Sequence, residues 1–189
     1  MQRKTNMKAL FLDRDGVINV DKEYLVKPEE FEFMPGIFEL CQAFLNKGYL
    51  IFIVTNQSGI ARGYYTEDDF LTLTDWMLAE FKKRNILIQK VYHCPFHPEY
   101  GNKQYRQDSP DRKPHPGMLL KAQKEFSLDL AQSVMIGDKE SDILCGLNAG
   151  VQTTVLIRSE YYKKGIPATM VVGDLSEALE GLVRILSVG

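Results

Sequence analysis

Cysteine is scarce in this chain: 3 among 189 residues, Cys41, Cys94 and Cys145, far apart in sequence. An odd, scattered set offers no disulfide framework, so the fold must rest on a packed core. Cys41 and Cys145 fall in helical patterns and read as core thiols; Cys94 reads as a loop residue. An excess of one charge is also lacking. The formal net charge is -2, which excludes a basic track for nucleic acid and argues against a membrane surface. No apolar run approaches the roughly 20 residues of a membrane-spanning helix. The basic start MQRKTNMKALFLD has an apolar stretch too short for a signal peptide, and Met1–Asn6 reads as a frayed start. Repeats, low-complexity tracts and an interdomain linker are missing too. What remains is an ordinary globular composition, 44% hydrophobic and 25% charged. One domain spanning residues 1–189, cytoplasmic and monomeric, is the expectation.

Strand and helix patterns then alternate. Met7–Leu12 and Tyr49–Val54 (YLIFIV) are apolar without alternation, as strands covered on both faces are. Gly36–Asn46 carries apolar residues at helical spacing and stops at Gly48. Thr66 and Asp69 stand at capping spacing ahead of a helix reaching about Lys83. Leu87–Tyr92 is a more polar strand, so an edge strand. Helices are expected at Pro116–Phe126, Ser141–Ala149 and Leu175–Leu186, the last begun by Asp174. Strands are expected at Val134–Ile136, Val151–Ile157 and Met170–Val172. This alternation predicts an α/β fold with a doubly wound parallel sheet of right-handed crossovers. Ligands of such sheets bind at the carboxyl ends of the strands.

Polar motifs sit at three such ends. Asp13 and Asp15 close the first strand ahead of Gly16. Two carboxylates that close repel and compete for protons, and a divalent cation with a taste for hard oxygen relieves that. Asp13 is expected to attack a phosphoryl group while Asp15 handles the proton. Thr55-Asn56 ends the second strand, and TNQSGIARG gathers small residues, glycines and Arg62 around an anion-sized space. Asp138 ends a later strand; it reads either as a helix cap or as a further Mg²⁺ carboxylate beside Asp13. Asp142 reads as its supporting residue or as a first-turn acid. Lys113 would neutralise charge shared by Asp13 and the phosphoryl group, and Arg112 would grip a phosphate.

FLDRDGVIN, VTNQSG, RKPHPG and IGDKESD, in this order, resemble the four motifs of the haloacid dehalogenase-like phosphohydrolases. DRDGVIN, TNQSGIARG, CPFHP and RKPHPGMLL resemble in particular the branch acting on heptose bisphosphate, with histidinol-phosphate phosphatases as relatives. The resemblance covers about Lys8 to Ile157. It implies a Rossmann-like HAD-type fold without a separate cap domain, the loops 20–35, 57–65 and 94–114 shaping the site. It implies Asp13 as nucleophile and Asp15 as general acid/base. Mg²⁺ would be held by Asp13, Asp138 and the backbone carbonyl of Asp15, with Thr55 and Lys113 on the phosphoryl group. Asp21, Tyr24, Asn56, Gln57, Ser58, Arg62, Arg112 and Lys139 would meet a small phosphorylated sugar. The activity implied is removal of the 7-phosphate of heptose 1,7-bisphosphate on the way to nucleotide-activated heptose for lipopolysaccharide or surface polysaccharide. The alternatives are a histidinol-phosphate or other small phosphomonoesterase, or a phospho-ligand binding module.

One departure stands out. Members of this branch often hold a structural zinc through C-x-H and C-x-C pairs before RKPHPG. Here Cys94 alone is retained: Phe96 stands at the histidine position and Ser109 and Asp111 at the later cysteines. His97 is near, but tetrahedral zinc requires four good ligands, so no zinc is expected.

Overall fold

The computed structural model describes residues 7–186; the expected frayed start, Met1–Asn6, lies outside them. Six strands form one all-parallel sheet: β1 (Lys8–Leu12), β2 (Tyr49–Asn56), β3 (Ile88–Cys94), β4 (Val134–Gly137), β5 (Thr153–Ile157) and β6 (Met170–Val172). Their order is β3-β2-β1-β4-β5-β6. The chain winds outward from β1 to one edge, returns, and winds from β4 to the other. The switch point therefore lies between β1 and β4, whose ends carry Asp13 and Asp138.

Successive residues of β1 face opposite layers. Leu10 and Leu12 pack with Ile37, Leu40 and Phe44 of α1 (Ile37–Asn46), with Leu73, Met77 and Phe81 of α3 (Glu67–Lys82), and with Leu182 of α6 (Leu175–Leu186). Ala9 and Phe11 pack with Met118, Leu119 and Ala122 of α4 (Gly117–Phe126) and Cys145 of α5 (Glu140–Ala149). Both faces are thus covered, which is why β1 and β2 lack polar alternation. The helix starts follow their sequence signals. Thr66 and Asp69 form a capping box ahead of α3, and Asp174 Oδ1 accepts from the Glu177 N–H at the head of α6.

Several boundaries differ from expectation. β2 runs on through Thr55 and Asn56, because these polar residues pair in register with His93 and Cys94 of β3. Cys94 is accordingly the last residue of a strand rather than a loop residue, and β3 is the edge strand expected. The stretch 57–65 is not all loop; it contains a short helix, α2 (Ser58–Ala61). Val151 is not in β5: its N–H closes the end of α5 on the Gly146 carbonyl. Of the two readings of Asp138, the helix cap is not made: Lys139 stands at the N-cap of α5. The Asp142 carboxylate accepts the Lys139 N–H at 2.9 Å and so closes the start of the helix, leaving the Asp138 side chain free. Among the described residues no helix is long and apolar enough to cross a membrane.

Candidate active site

The turn after β1 is built around Arg14, whose carbonyl accepts from the N–H groups of Val17, Ile18 and Asn19. Gly16 sits in this turn at φ +85°, and a Cβ there would lie 2.5 Å from the Asp138 Cγ. Only glycine combines that left-handed backbone with that closeness. Asp13 itself is tied to β4 by its N–H, donating to the Ile136 carbonyl at 3.0 Å.

Lys113 arrives from the loop before α4 and is 3% exposed. Its ammonium is 2.8 Å from Asp13 Oδ1 and 2.6 Å from Asp142 Oδ1, and it donates to the Val54 carbonyl at 2.9 Å. The contacts with Asp13 and Val54 are hydrogen bonds and that with Asp142 is an ion pair. Asn56 fixes the lysine backbone from both sides: its Oδ1 accepts the Lys113 N–H at 3.0 Å and its Nδ2 donates to the Lys113 carbonyl at 3.1 Å. Asn56, expected to touch substrate, instead has its side chain committed to placing Lys113, while the residue still lines the groove.

Carboxylate oxygens of Asp13, Asp138 and Asp142 lie within 4.8 Å of one another, all three residues being buried. Asp142 Oδ2 accepts the Lys139 N–H, while its Oδ1 pairs with the Lys113 charge without a hydrogen bond. Both oxygens of Asp138 are buried with no hydrogen-bond partner. A buried, partnerless carboxylate is costly, and a hard divalent cation supplies what it lacks; the donor set fits Mg²⁺. Burial first, then the Asp13 and Asp142 charges, pushes Asp138 up to about 8. Burial also raises Asp13, to about 6, against the opposing pull of Lys113. Burial alone would depress the Lys113 ammonium, but the Asp13 and Asp142 carboxylates hold it above its ordinary value.

These shifts fix a sign. Both folded carboxyls lie above the value of 3.8 for an ordinary aspartate, so between about pH 4 and 8 this pair binds more protons in the metal-free folded state than in the unfolded chain. Its contribution to stability therefore falls as pH rises, by about 1.4 kcal/mol per pH unit for each extra proton. Chelator-treated protein is expected to melt lower at pH 8 than at pH 5.5, with Mg²⁺ abolishing most of the difference. A melting temperature that is flat or rises over this range contradicts the arrangement.

Asp15 is held differently. Burial alone would raise it, yet the Arg14 guanidinium, with hydrogen bonds from Arg14, Asn19 and Gln57, keeps it below the usual carboxylate range. Arg14 Nη2 donates to both oxygens at 2.9 Å, Asn19 Nδ2 to Oδ1 at 3.0 Å and Gln57 Nε2 to Oδ2 at 3.2 Å. Arg14 and Asn19 escaped the sequence reading. A charged residue in a turn normally faces solvent, but Arg14 is 2% exposed.

Above this site opens a groove of about 180 Å³ lined by Asp15, Asp21, Tyr24, Gln57, Ser58 and Lys139, among others. Lys139 donates to Asp21 Oδ2 at 3.1 Å and lies over the Tyr161 ring. Tyr24 and Tyr64 meet edge-on at 4.4 Å across the loops 20–35 and 57–65. Thr55 is buried, its Oγ1 accepting from Gln57 Nε2 at 2.9 Å. Thr55 and Lys113 lie beneath the groove rather than in its lining, and Arg62 and Arg112 are likewise not among the lining. Arg62 stacks on the Tyr100 ring, 3.7 Å from its centre. Arg112 donates to the Phe96 carbonyl at 3.1 Å. Both are drawn to the 94–114 loop by partners the sequence did not reveal.

In that loop His97 Nδ1 accepts from the Glu99 and Tyr100 N–H groups. Asp111 pairs with Lys121, and Ser109 Oγ accepts the Asp111 N–H. A single thiol, itself pushed up by burial, with a phenylalanine, a serine and a lysine-paired aspartate at the remaining positions does not fit tetrahedral zinc.

Comparison with known proteins agrees with this layout. A family model described as HAD-hydrolase-like matches residues 111–178. The D-glycero-alpha-D-manno-heptose-1,7-bisphosphate 7-phosphatase of Campylobacter jejuni is 56% identical over 153 residues, 81% of this chain and 84% of the relative. The D-glycero-beta-D-manno-heptose-1,7-bisphosphate 7-phosphatase of Escherichia coli K12 is 44% identical over 154 residues, 82% of this chain and 81% of the relative. The D,D-heptose 1,7-bisphosphate phosphatase of B. bronchiseptica, solved with magnesium and phosphate, superposes with a TM-score of 0.81 at 29% identity, covering 94% of this chain and 99% of that one. The chain belongs to the haloacid dehalogenase-like phosphatases and is a phosphoric monoester hydrolase. The relatives that place it there are, by name, heptose-1,7-bisphosphate 7-phosphatases.

Proposed function

We propose that this enzyme removes the 7-phosphate of D-glycero-D-manno-heptose 1,7-bisphosphate, in an Mg²⁺-dependent reaction through an aspartyl-phosphate. The observation that carries the substrate is the 56% identity to the Campylobacter jejuni relative across four-fifths of both chains. The relatives named for the alpha anomer are 56% identical and those named for the beta anomer 42–47%, which favours the alpha anomer. The product belongs to the supply of activated heptose for lipopolysaccharide or surface polysaccharide. On this reading residues 1–189 form one cytoplasmic, monomeric domain without zinc, its substrate site shaped by the loops 20–35, 57–65 and 94–114.

The roles follow from the hydrogen bonds. Lys113 occupies Asp13 Oδ1, so Oδ2 is the oxygen that attacks phosphorus. Asp15, held below the usual carboxylate range in the free site, takes up a proton from the singly protonated phosphate of the entering substrate and passes it to the sugar oxygen as the bond from phosphorus to that oxygen breaks. A water then attacks the aspartyl-phosphate, gives a proton back to Asp15, and releases phosphate and free Asp13. Asp15 is positioned for both transfers by Arg14, Asn19 and Gln57. Lys113, hydrogen-bonded to Asp13 and the Val54 carbonyl and paired with Asp142, acts by neutralising and orienting Asp13. Thr55 accepts from Gln57 and so keeps its own proton for a phosphoryl oxygen. Asp13, Asp138 and the Asp15 carbonyl would hold Mg²⁺, which when bound screens the charge between nucleophile and phosphate. Asp21, Tyr24, Ser58 and Lys139 are placed along the groove to meet the sugar.

The test is a comparison of kcat/KM for heptose 1,7-bisphosphate and histidinol phosphate with Mg²⁺ present. A preference for the heptose of about 100-fold, near 2.7 kcal/mol, heptose 1-phosphate as product and loss of turnover in EDTA are expected. Equal or better use of histidinol phosphate refutes the substrate assignment, and turnover indifferent to chelation refutes the metal.

A further inference from the structure

Gln57 links two groups that the proposed chemistry needs in fixed orientation, and its own orientation is set by a residue outside that chemistry. The Gln57 NH₂ faces Asp15, donating to its Oδ2 at 3.2 Å. The same NH₂ donates to Thr55 Oγ1. The Gln57 carbonyl oxygen is therefore turned away from both and needs a donor of its own. Tyr65 supplies it: its hydroxyl donates to Gln57 Oε1 at 2.5 Å. The chain of donors has one direction, from Tyr65 through the Gln57 amide to Thr55 and Asp15. Because Thr55 accepts at its end, the Thr55 proton is left free for a phosphoryl oxygen.

The Tyr65 ring is held where this requires. It is 8% exposed and packs with Ile60 and Phe70 in a small apolar cluster between α2 and α3. Gly59 makes room for it: a Cβ at that position would lie 2.2 Å from the Tyr65 Cε1. The hydroxyl thus reaches Gln57 from a rigid base rather than from the mobile end of a long side chain.

We infer that Tyr65 is a positioning residue for phosphoryl transfer, acting through the Gln57 amide on Thr55 and Asp15. The inference rests on the proposed roles of those two residues. Without the hydroxyl the buried Gln57 oxygen has no donor, and the amide leaves the orientation that serves both partners.

The experiment is a double-mutant cycle with Tyr65→Phe, Gln57→Met and the pair, in Mg²⁺. It uses heptose 1,7-bisphosphate and, separately, p-nitrophenyl phosphate, so a chain that rejects the heptose still reports on the relay. Tyr65→Phe keeps the ring packing and is expected to lower kcat about tenfold with KM within twofold, as loss of one hydrogen bond in a polar network does. In the Gln57→Met background the same change is expected to have no further effect on kcat, because the relay is already cut. An unchanged kcat for Tyr65→Phe, a loss confined to KM or to the melting temperature, or an equal kcat loss in both backgrounds overturns the inference.

Discussion

Replacing Asp13 by Asn is expected to lower kcat by about 10³-fold or more while the protein stays folded. An amide oxygen is a poor nucleophile toward phosphorus, and no neighbouring carboxylate can take over. Asp15 is bound by Arg14, Asn19 and Gln57, Asp142 is paired with Lys113 and accepts at the start of α5, and Asp138 would be held by Mg²⁺. The fold should survive because the change removes one of three crowded acids. Lys113 keeps Asp142 and the Val54 carbonyl, and an Asn oxygen can still accept from it. The melting temperature of this variant should therefore lie within a few degrees of the parent, or above it without metal. Single-turnover assays and thermal melts check both halves. A variant with near-normal kcat removes Asp13 from the role of nucleophile.

Lys113→Met should do the opposite to stability. The lysine is buried, with carboxylates on two sides, and Asp138 beside them has no partner. Taking away the one ammonium at the centre of this cluster leaves buried carboxylates uncompensated, at a cost of about 3–5 kcal/mol. Asn56 would also hold a loop whose reason for being there has gone. Denaturant unfolding near pH 7.5 measures the loss, which should shrink toward pH 5 as the carboxyls take up protons. Adding Asp13→Asn to Lys113→Met should restore part of the stability, since one of the unpaired charges is then removed. If Lys113→Met unfolds like the parent, the cluster is not electrostatically coupled as described. Turnover should be lost in either case, because an uncompensated Asp13 takes a proton and ceases to be a nucleophile.

Much of the fold could be read along the chain. Buried parallel strands announce themselves as unbroken apolar runs, and Tyr49–Val54 is such a run. Thr66/Asp69 and Asp174 signalled helix starts through chemistry confined to a few residues. The ends of β2 and β3 were harder. Thr55, Asn56 and Cys94 look like loop residues until strand pairing satisfies their backbones. Arg14 and Tyr65 passed unnoticed for the related reason that a charged or phenolic side chain in a turn gives no local hint of burial. Arg62 and Arg112 were assigned to the substrate groove from motif position, yet one lies over Tyr100 and the other donates to Phe96.

By itself the sequence determined the alternation of strands and helices, the carboxylates at the strand ends, and hence the class of chemistry. Those depend on periodicity and residue type within short windows. The tertiary structure alone decided which charges meet. Lys113 reaches Asp13 across 100 positions, Asn56 holds Lys113 across 57, and Asp142 rather than Asp138 accepts at the start of α5. Pairing in a dry interior is set by distances of a few ångströms and by which donors are already taken, and neither is written in the order of residues along the chain.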